Sequence, residues 1–129
     1  FFILPSLWEG LPISMLEAMT LNKSLIVSNC SSAIREIINV DGSTKGFEDT
    51  GCFDTIRTPF GYLMNDFKDP QNRETISSWE RAIRFLMNDE MFSRECGDNS
   101  FALARNFDVE HSIAHWIELV RGLTGKTPV

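Results

Sequence analysis

The chain has 129 residues, 43% of them hydrophobic and 23% charged, with a formal net charge of −6. That length and balance suit one globular domain with a real core, since domains typically hold about 100–150 residues. The acidic balance and the lack of a Lys/Arg cluster argue against a nucleic-acid or anionic-membrane surface.

Phe1 to Leu4 is an apolar run closed by Pro5, and it reads as a buried strand. Four apolar residues are too few for a signal peptide or a membrane span. With no initiating Met, the run is expected to join an upstream part of the fold, so the chain reads as a piece of a longer protein. Pro12 suits the first position of a helix, where its missing N–H costs nothing. Ile13, Leu16 and Met19 then recur at helical spacing, and the helix is expected to run to about Leu21. Asn22 follows as a left-handed cap. Ser24 to Asn29 reads as a second buried strand, and Ala33 to Ile38 as a short helix. Strand, helix, strand, helix at this spacing predicts a βαβ unit and a Rossmann-like parallel sheet flanked by helices.

Residues 39–59 hold Gly42, Gly46 and Gly51 with no sustained period, and are expected to form a long loop. Phe60 to Met64 reads as the last strand. The tail is helical. Asp69-Pro70 reads as a cap followed by an N1 proline, with Ile76, Trp79, Ile83 and Leu86 on one face. Asn88-Asp89 breaks the pattern, a second helix spans about Glu90 to Arg105, and Asp108 caps a third. Ile113, Trp116, Ile117 and Val120 are expected to form its inner stripe. Trp79, Phe85, Phe101 and Trp116 are read as core.

Cys30, Cys52 and Cys96 stand far apart with no C-x-x-C pair. That favours reduced thiols in a cytoplasm over a disulfide framework or a zinc site. His111 and His115 have a spacing that can chelate a metal, but no third ligand is evident nearby, so no metal site is assigned.

The chemistry concentrates in Pro5 to Met19, PSLWEGLPISMLEAM. Glu9 stands before a Gly-Leu-Pro turn and Glu17 inside the helix that follows. In open α/β sheets ligands bind beyond the carboxyl ends of the strands, where helices begin. Gly10, with no Cβ, lets a ligand approach the backbone. Free N–H groups near Leu11, Ile13 and Ser14, with the helix dipole, suit a phosphate. A carboxylate is a strong acceptor for paired hydroxyls, so Glu17 can take a ribose diol and Glu9 a second polyol. Acidic residues near a helix start also serve the dipole, and spacing alone leaves both readings open. Trp8 can wall such a site or pack in the core, and Arg35-Glu36 can reach it or form an exposed helix pair.

The whole string resembles the signature of retaining GT-B glycosyltransferases of family 4. Pro5, Ser6, Glu9, Gly10, Leu11, Pro12, Leu16, Glu17, Ala18 and Met19 match its E-x7-E setting in order. SNCSSAIREII and TPFGYLM are similar to later segments of the same pattern, and the helical tail resembles its closing helices. Asn22 stands where the family has Gly, Ser24 where it has Pro, and Ala33-Ile34 where it has Gly-Pro.

The resemblance implies the C-terminal, donor-binding part of a GT-B fold, with the N-terminal acceptor domain outside this chain. It implies transfer of a hexosyl unit from a nucleotide-diphosphate sugar to a glycan, lipid-linked or small acceptor with retention. Glu9 would act at the donor sugar as the catalytic-site carboxylate. Gly10, Leu11, Pro12 and Ile13 would line the sugar and diphosphate, and Glu17 would hold the nucleotide ribose. No cofactor or metal is implied beyond the nucleotide sugar, such as a UDP- or GDP-sugar. The expected setting is cytoplasmic or peripheral at the inner membrane face, and this piece alone is expected to be inactive. The rival readings are a non-catalytic nucleotide-sugar-binding or interaction module of the same fold, and a GT-B phosphorylase or sucrose synthase-like enzyme.

Overall fold

The structure, a computed structural model, describes residues 1–38, 48–49, 55–64 and 71–124. The elements in chain order are β1 (Phe2–Leu4), α1 (Ile13–Thr20), β2 (Leu25–Ser28), α2 (Ser32–Ile38), β3 (Glu48–Asp49), β4 (Thr55–Thr58), β5 (Gly61–Met64), α3 (Arg73–Asn88) and α4 (Glu90–Ala104). A single 3-10 turn at Arg105–Phe107 leads into α5 (Val109–Thr124).

The sheet has the order β1-β2-β5-β4-β3. β1, β2 and β5 are parallel, with Leu4 opposite Val27 and Val27 opposite Leu63. β4 runs antiparallel to β5, and β3 antiparallel to β4. The expected α/β architecture is therefore present, with its parallel part at β1-β2-β5 and an antiparallel extension beyond it.

Side chains alternate across the sheet, and each face meets its own helices. Leu25, Val27 and Leu63 pack with Met15 and Met19 of α1, Ile34, Ile37 and Ile38 of α2, and Ala104 at the end of α4. Ile26, Tyr62 and Met64 face the other way, against Trp79, Ala82 and Leu86 of α3. β2 lies between both layers, so all four of its residues are buried. That is why it reads as an unbroken apolar run rather than an alternating one.

The α1–β2 connection is a Schellman turn. The Lys23 N–H donates to the Ala18 carbonyl (3.2 Å) and the Asn22 N–H to the Met19 carbonyl (3.1 Å). Asn22 takes the left-handed conformation expected of it, with φ 54°. Its Nδ2 donates to Asp98 Oδ1 of α4 at 3.1 Å.

The stretch 39–59, expected as a loop, contains β3 and β4; its remaining described residue is Pro59. β4 and β5 form a hairpin around Pro59-Phe60. The Thr58 hydroxyl accepts the Phe60 N–H (3.1 Å) and donates to the Gly61 carbonyl (3.2 Å). Asn99 of α4 donates to the Pro59 carbonyl at 2.9 Å, fixing the turn from outside. Tertiary pairing, not local periodicity, makes Thr55–Thr58 a strand.

α3 begins at Arg73, capped by Asn72, whose side chain accepts the Glu74 N–H at 2.9 Å. The expected cap at Asp69-Pro70 lies outside the described residues. The buried stripe of α3 is Thr75, Ser78, Trp79, Ala82 and Leu86, so Ile76 sits outside it. Asp89 caps α4 by accepting the Phe92 N–H.

Asp108 accepts the His111 N–H at 2.8 Å and so caps α5 as expected. The expected inner stripe of that helix is not inner, because Ile113, Trp116, Ile117 and Val120 are all exposed. Phe85, Phe101 and Trp116 are likewise exposed, and of the four aromatics read as core only Trp79 is buried. Amphipathic spacing reveals an apolar face but not what covers it.

Among the described residues, no helix is long and apolar enough to cross a membrane. Cys30 and Cys96 are free thiols, and Cys52 lies outside the described residues.

Candidate functional site

The β1–α1 connection leaves the sheet at the carboxyl end of β1, beside the carboxyl end of β2, where ligands settle in open α/β sheets. The regular pairing of β1 with β2 ends at Leu4 opposite Val27, and Pro5 follows. Ser28, the last residue of β2, takes over: its buried hydroxyl is shared between the Leu4 carbonyl (3.2 Å) and the Ser6 carbonyl (2.6 Å). Ser6 in turn donates its hydroxyl to Glu9 Oε1 at 2.6 Å. Glu9 is half-buried and held from the sheet side.

Past Glu9 the chain opens to solvent. A Cβ at Gly10 would meet nothing within 4 Å, so this glycine answers no crowding within the chain. Leu11 and Ile13 are exposed while Pro12 between them is buried. Pro12 has φ −77° and ψ 79°, the conformation of an inverse γ-turn. It is therefore the N-cap of α1 rather than its first helical residue, and its carbonyl accepts both Met15 N–H (3.0 Å) and Leu16 N–H (3.3 Å).

The same turn engages one amide that the sequence reading left free: the Ile13 N–H donates to the Leu11 carbonyl at 2.9 Å. The amides of Gly10, Leu11 and Ser14 have no hydrogen-bond partner among the described residues. They are the open donors at this helix start.

Glu17 lies on the exposed side of α1, beyond its first turn, which holds no acidic residue. Dipole effects fade within the first turn, so helix capping does not account for a carboxylate there. Among the described residues Glu17 makes no ion pair. Trp8, read as either wall or core, is 80% exposed beside Glu9 and is not core.

The other candidates have partners of their own or lie elsewhere. Arg35 donates to Asn29 Oδ1 at 2.9 Å and both it and Glu36 are exposed, so Arg35 is tied to the end of β2. Ile34, where the resembled pattern has Pro, is fully buried under the sheet. His111 is occupied by Asp108, and no group of three or more His, Cys, Asp or Glu side chains comes together among the described residues. A groove of about 570 Å3 between Ile3, Pro5 and α3 contains none of the site residues named from the sequence.

Sequence reasoning gave Ser28 no part in the site. The available signal was a hydroxyl ending an otherwise aliphatic strand, since a buried hydroxyl must find a partner.

The profile of the family described as "Glycosyl transferases group 1" matches residues 1–50, which hold both glutamates, α1, β2 and α2. The chain is also 28% identical over 127 residues to an uncharacterized glycosyltransferase of Methanocaldococcus jannaschii. That similarity covers 94% of this chain and 31% of the relative, so the chain spans about a third of that protein's length. No solved structure matches the chain. Both similarities are to glycosyltransferases, the first over residues 1–50 only.

Proposed function

We propose that this chain is the donor-side part of a retaining GT-B glycosyltransferase that moves a hexosyl unit from a nucleoside diphosphate sugar to a glycan, lipid-linked or small acceptor. The observation that carries the reading is the β1–α1 connection. An anchored carboxylate, an uncrowded glycine and a helix start with open amides follow one another there, and that helix carries a second carboxylate that makes no ion pair among the described residues.

Glu17 accepts hydrogen bonds from the ribose diol, and Glu9 from the hydroxyls of the donor sugar. The backbone at Gly10, Leu11, Pro12 and Ile13 lines the sugar and diphosphate, with the amides of Gly10, Leu11 and Ser14 as donors. As the sugar leaves, negative charge builds on the diphosphate, and preoriented N–H dipoles stabilise it without reorganising. Acceptor binding belongs to the part of the protein beyond this chain, which alone carries too little of the site to turn over.

Thermal-shift screening of the full-length protein against UDP-, GDP-, ADP- and dTDP-sugars tests the reading. A bound donor at a hundredfold excess over its dissociation constant stabilises by about 2.7 kcal/mol. Glu17→Ala is expected to remove the shift. A shift that survives this substitution, or no shift from any of these nucleotides, refutes the assignment.

A further inference from the structure

We propose that Ser28 and Ser6 are positioning residues for Glu9: two hydroxyls in series carry the fixed geometry of the β2 end out to the donor-sugar carboxylate. The inference rests on the donor role given to Glu9 above.

The regular strand pairing stops short of this segment. The last parallel pair is Leu4 with Val27, and the chain then leaves the strand at Pro5. Ser28 lies one residue beyond that pair on the neighbouring strand, at 0% exposure. Its single proton meets the carbonyls on either side of Pro5, Leu4 at 3.2 Å and Ser6 at 2.6 Å. Alanine there would satisfy packing in a strand that is otherwise Leu-Ile-Val, so the hydroxyl answers the chain's exit from the sheet rather than the core.

The second link is shorter and charged. Ser6 Oγ lies 2.6 Å from Glu9 Oε1, the length of a hydroxyl-to-carboxylate bond. It occupies one carboxylate oxygen and leaves Oε2 for substrate hydroxyls. A long, rotatable side chain is thereby oriented before the donor arrives, so binding does not have to order it. Among the described residues Glu17 has no such support. The two carboxylates thus differ: the one at the sugar is preset, and the one at the ribose is free to adapt.

The test separates sugar from nucleotide. Calorimetry on the full-length protein gives dissociation constants for the best-binding nucleotide sugar of a UDP, GDP, ADP and dTDP panel and for its parent nucleoside diphosphate. Ser6→Ala is expected to weaken the nucleotide sugar about tenfold, the scale of one lost bond to a charged group, and to leave the nucleoside diphosphate within about twofold. Ser6→Thr, which keeps the hydroxyl, restores the difference. Ser28→Ala produces the same selective loss; should it fail to fold, the Ser6 pair decides alone.

Equal weakening of both ligands by Ser6→Ala means a merely structural serine and overturns the inference, as does no weakening at all. If no nucleoside diphosphate binds the wild-type protein, the donor-site reading falls and takes this inference with it. Glu17→Ala, which should weaken both ligands alike, reports on that reading separately.

Discussion

Gly97 of α4 lies against the carbonyl of Asn22: a Cβ placed on Gly97 would stand 2.3 Å from the Asn22 oxygen. The Schellman turn that ends α1 is therefore pressed into the backbone of α4. The helix that carries Glu17 is braced at its C-terminal end by a helix about 75 residues further along, much as the Glu9 loop is braced by β2.

That contact fixes the sign of two otherwise identical substitutions. Alanine at Gly97 gains about 1 kcal/mol of helix propensity but meets fixed backbone, an overpacking cost of about 3 kcal/mol. Gly97→Ala should therefore destabilise by about 2 kcal/mol. Gly122 of α5 has open space around it, and Gly122→Ala should stabilise by about 0.5 kcal/mol. Urea midpoints at constant slope measure both, and a shared sign would contradict the packing described.

Gly61 is more constrained. Its φ is +129°, a conformation side chains rarely adopt, and a Cβ there would lie 2.0 Å from the Leu25 carbonyl oxygen, in the strand beside it. Backbone strain and overpacking act together, so Gly61→Ala should cost on the order of 4 kcal/mol. Loss of the cooperative thermal transition, followed by circular dichroism, is the expected readout.

Asn22 stands where the resembled pattern has glycine, and it holds φ 54° with one side-chain bond to Asp98. Asn22→Ala puts an ordinary residue into the left-handed region and should cost about 1–2 kcal/mol. Asn22→Gly relaxes the backbone while losing the bond, and should lie within about 0.5 kcal/mol of wild type. Chemical denaturation of the three proteins gives the order, and an alanine variant as stable as the glycine one would deny the turn its left-handed residue.

Two tryptophans test where the core ends. Trp79 is 6% exposed beneath the sheet, and Trp79→Ala should destabilise by about 3–5 kcal/mol. Trp116 is 67% exposed on α5, and Trp116→Ala should change the stability of this chain by no more than about 0.5 kcal/mol. A large loss at Trp116 would mean that α5 is covered in the folded chain.

Asp108 gives α5 a dependence on acid. The His111 backbone N–H, and then its ring nitrogen at 3.0 Å, stabilise the charged carboxylate and hold Asp108 below the usual aspartate range. A carboxyl group depressed in the folded state stabilises it above its unfolded value of about 3.9 and loses that contribution as pH falls through the folded one. Helicity should therefore fall in acid by a step that Asp108→Asn, which keeps a capping oxygen, does not show. Circular dichroism of both proteins between about pH 2 and 5 resolves it, and superimposable curves would rule it out.

Legibility followed how local each cause is. β1, α1, β2, α2, β5 and the three long helices could be read because apolar runs, caps and a left-handed asparagine act over a few residues. Asp108 and Asn22 do what their local chemistry demands. β4 could not be read, since Thr-Ile-Arg-Thr becomes a strand only against β5 and under Asn99, 40 residues from the turn it holds. The engaged Ile13 amide escaped for a related reason: proline fixes φ but not ψ, and here ψ closes a γ-turn instead of starting the helix.

The sequence by itself determined the order of the helices and of β1, β2 and β5, the placement of both glutamates around a glycine-proline turn, and which helices carry an apolar face. Those follow from short-range sterics and spacing. Only the tertiary structure decided that the sheet is mixed, that the α5 stripe stays uncovered in this chain, and that a serine at the end of β2 anchors the loop bearing Glu9. Each of these depends on which surface meets which across the fold, and a hydroxyl or an apolar stripe specifies the need for a partner without specifying the partner.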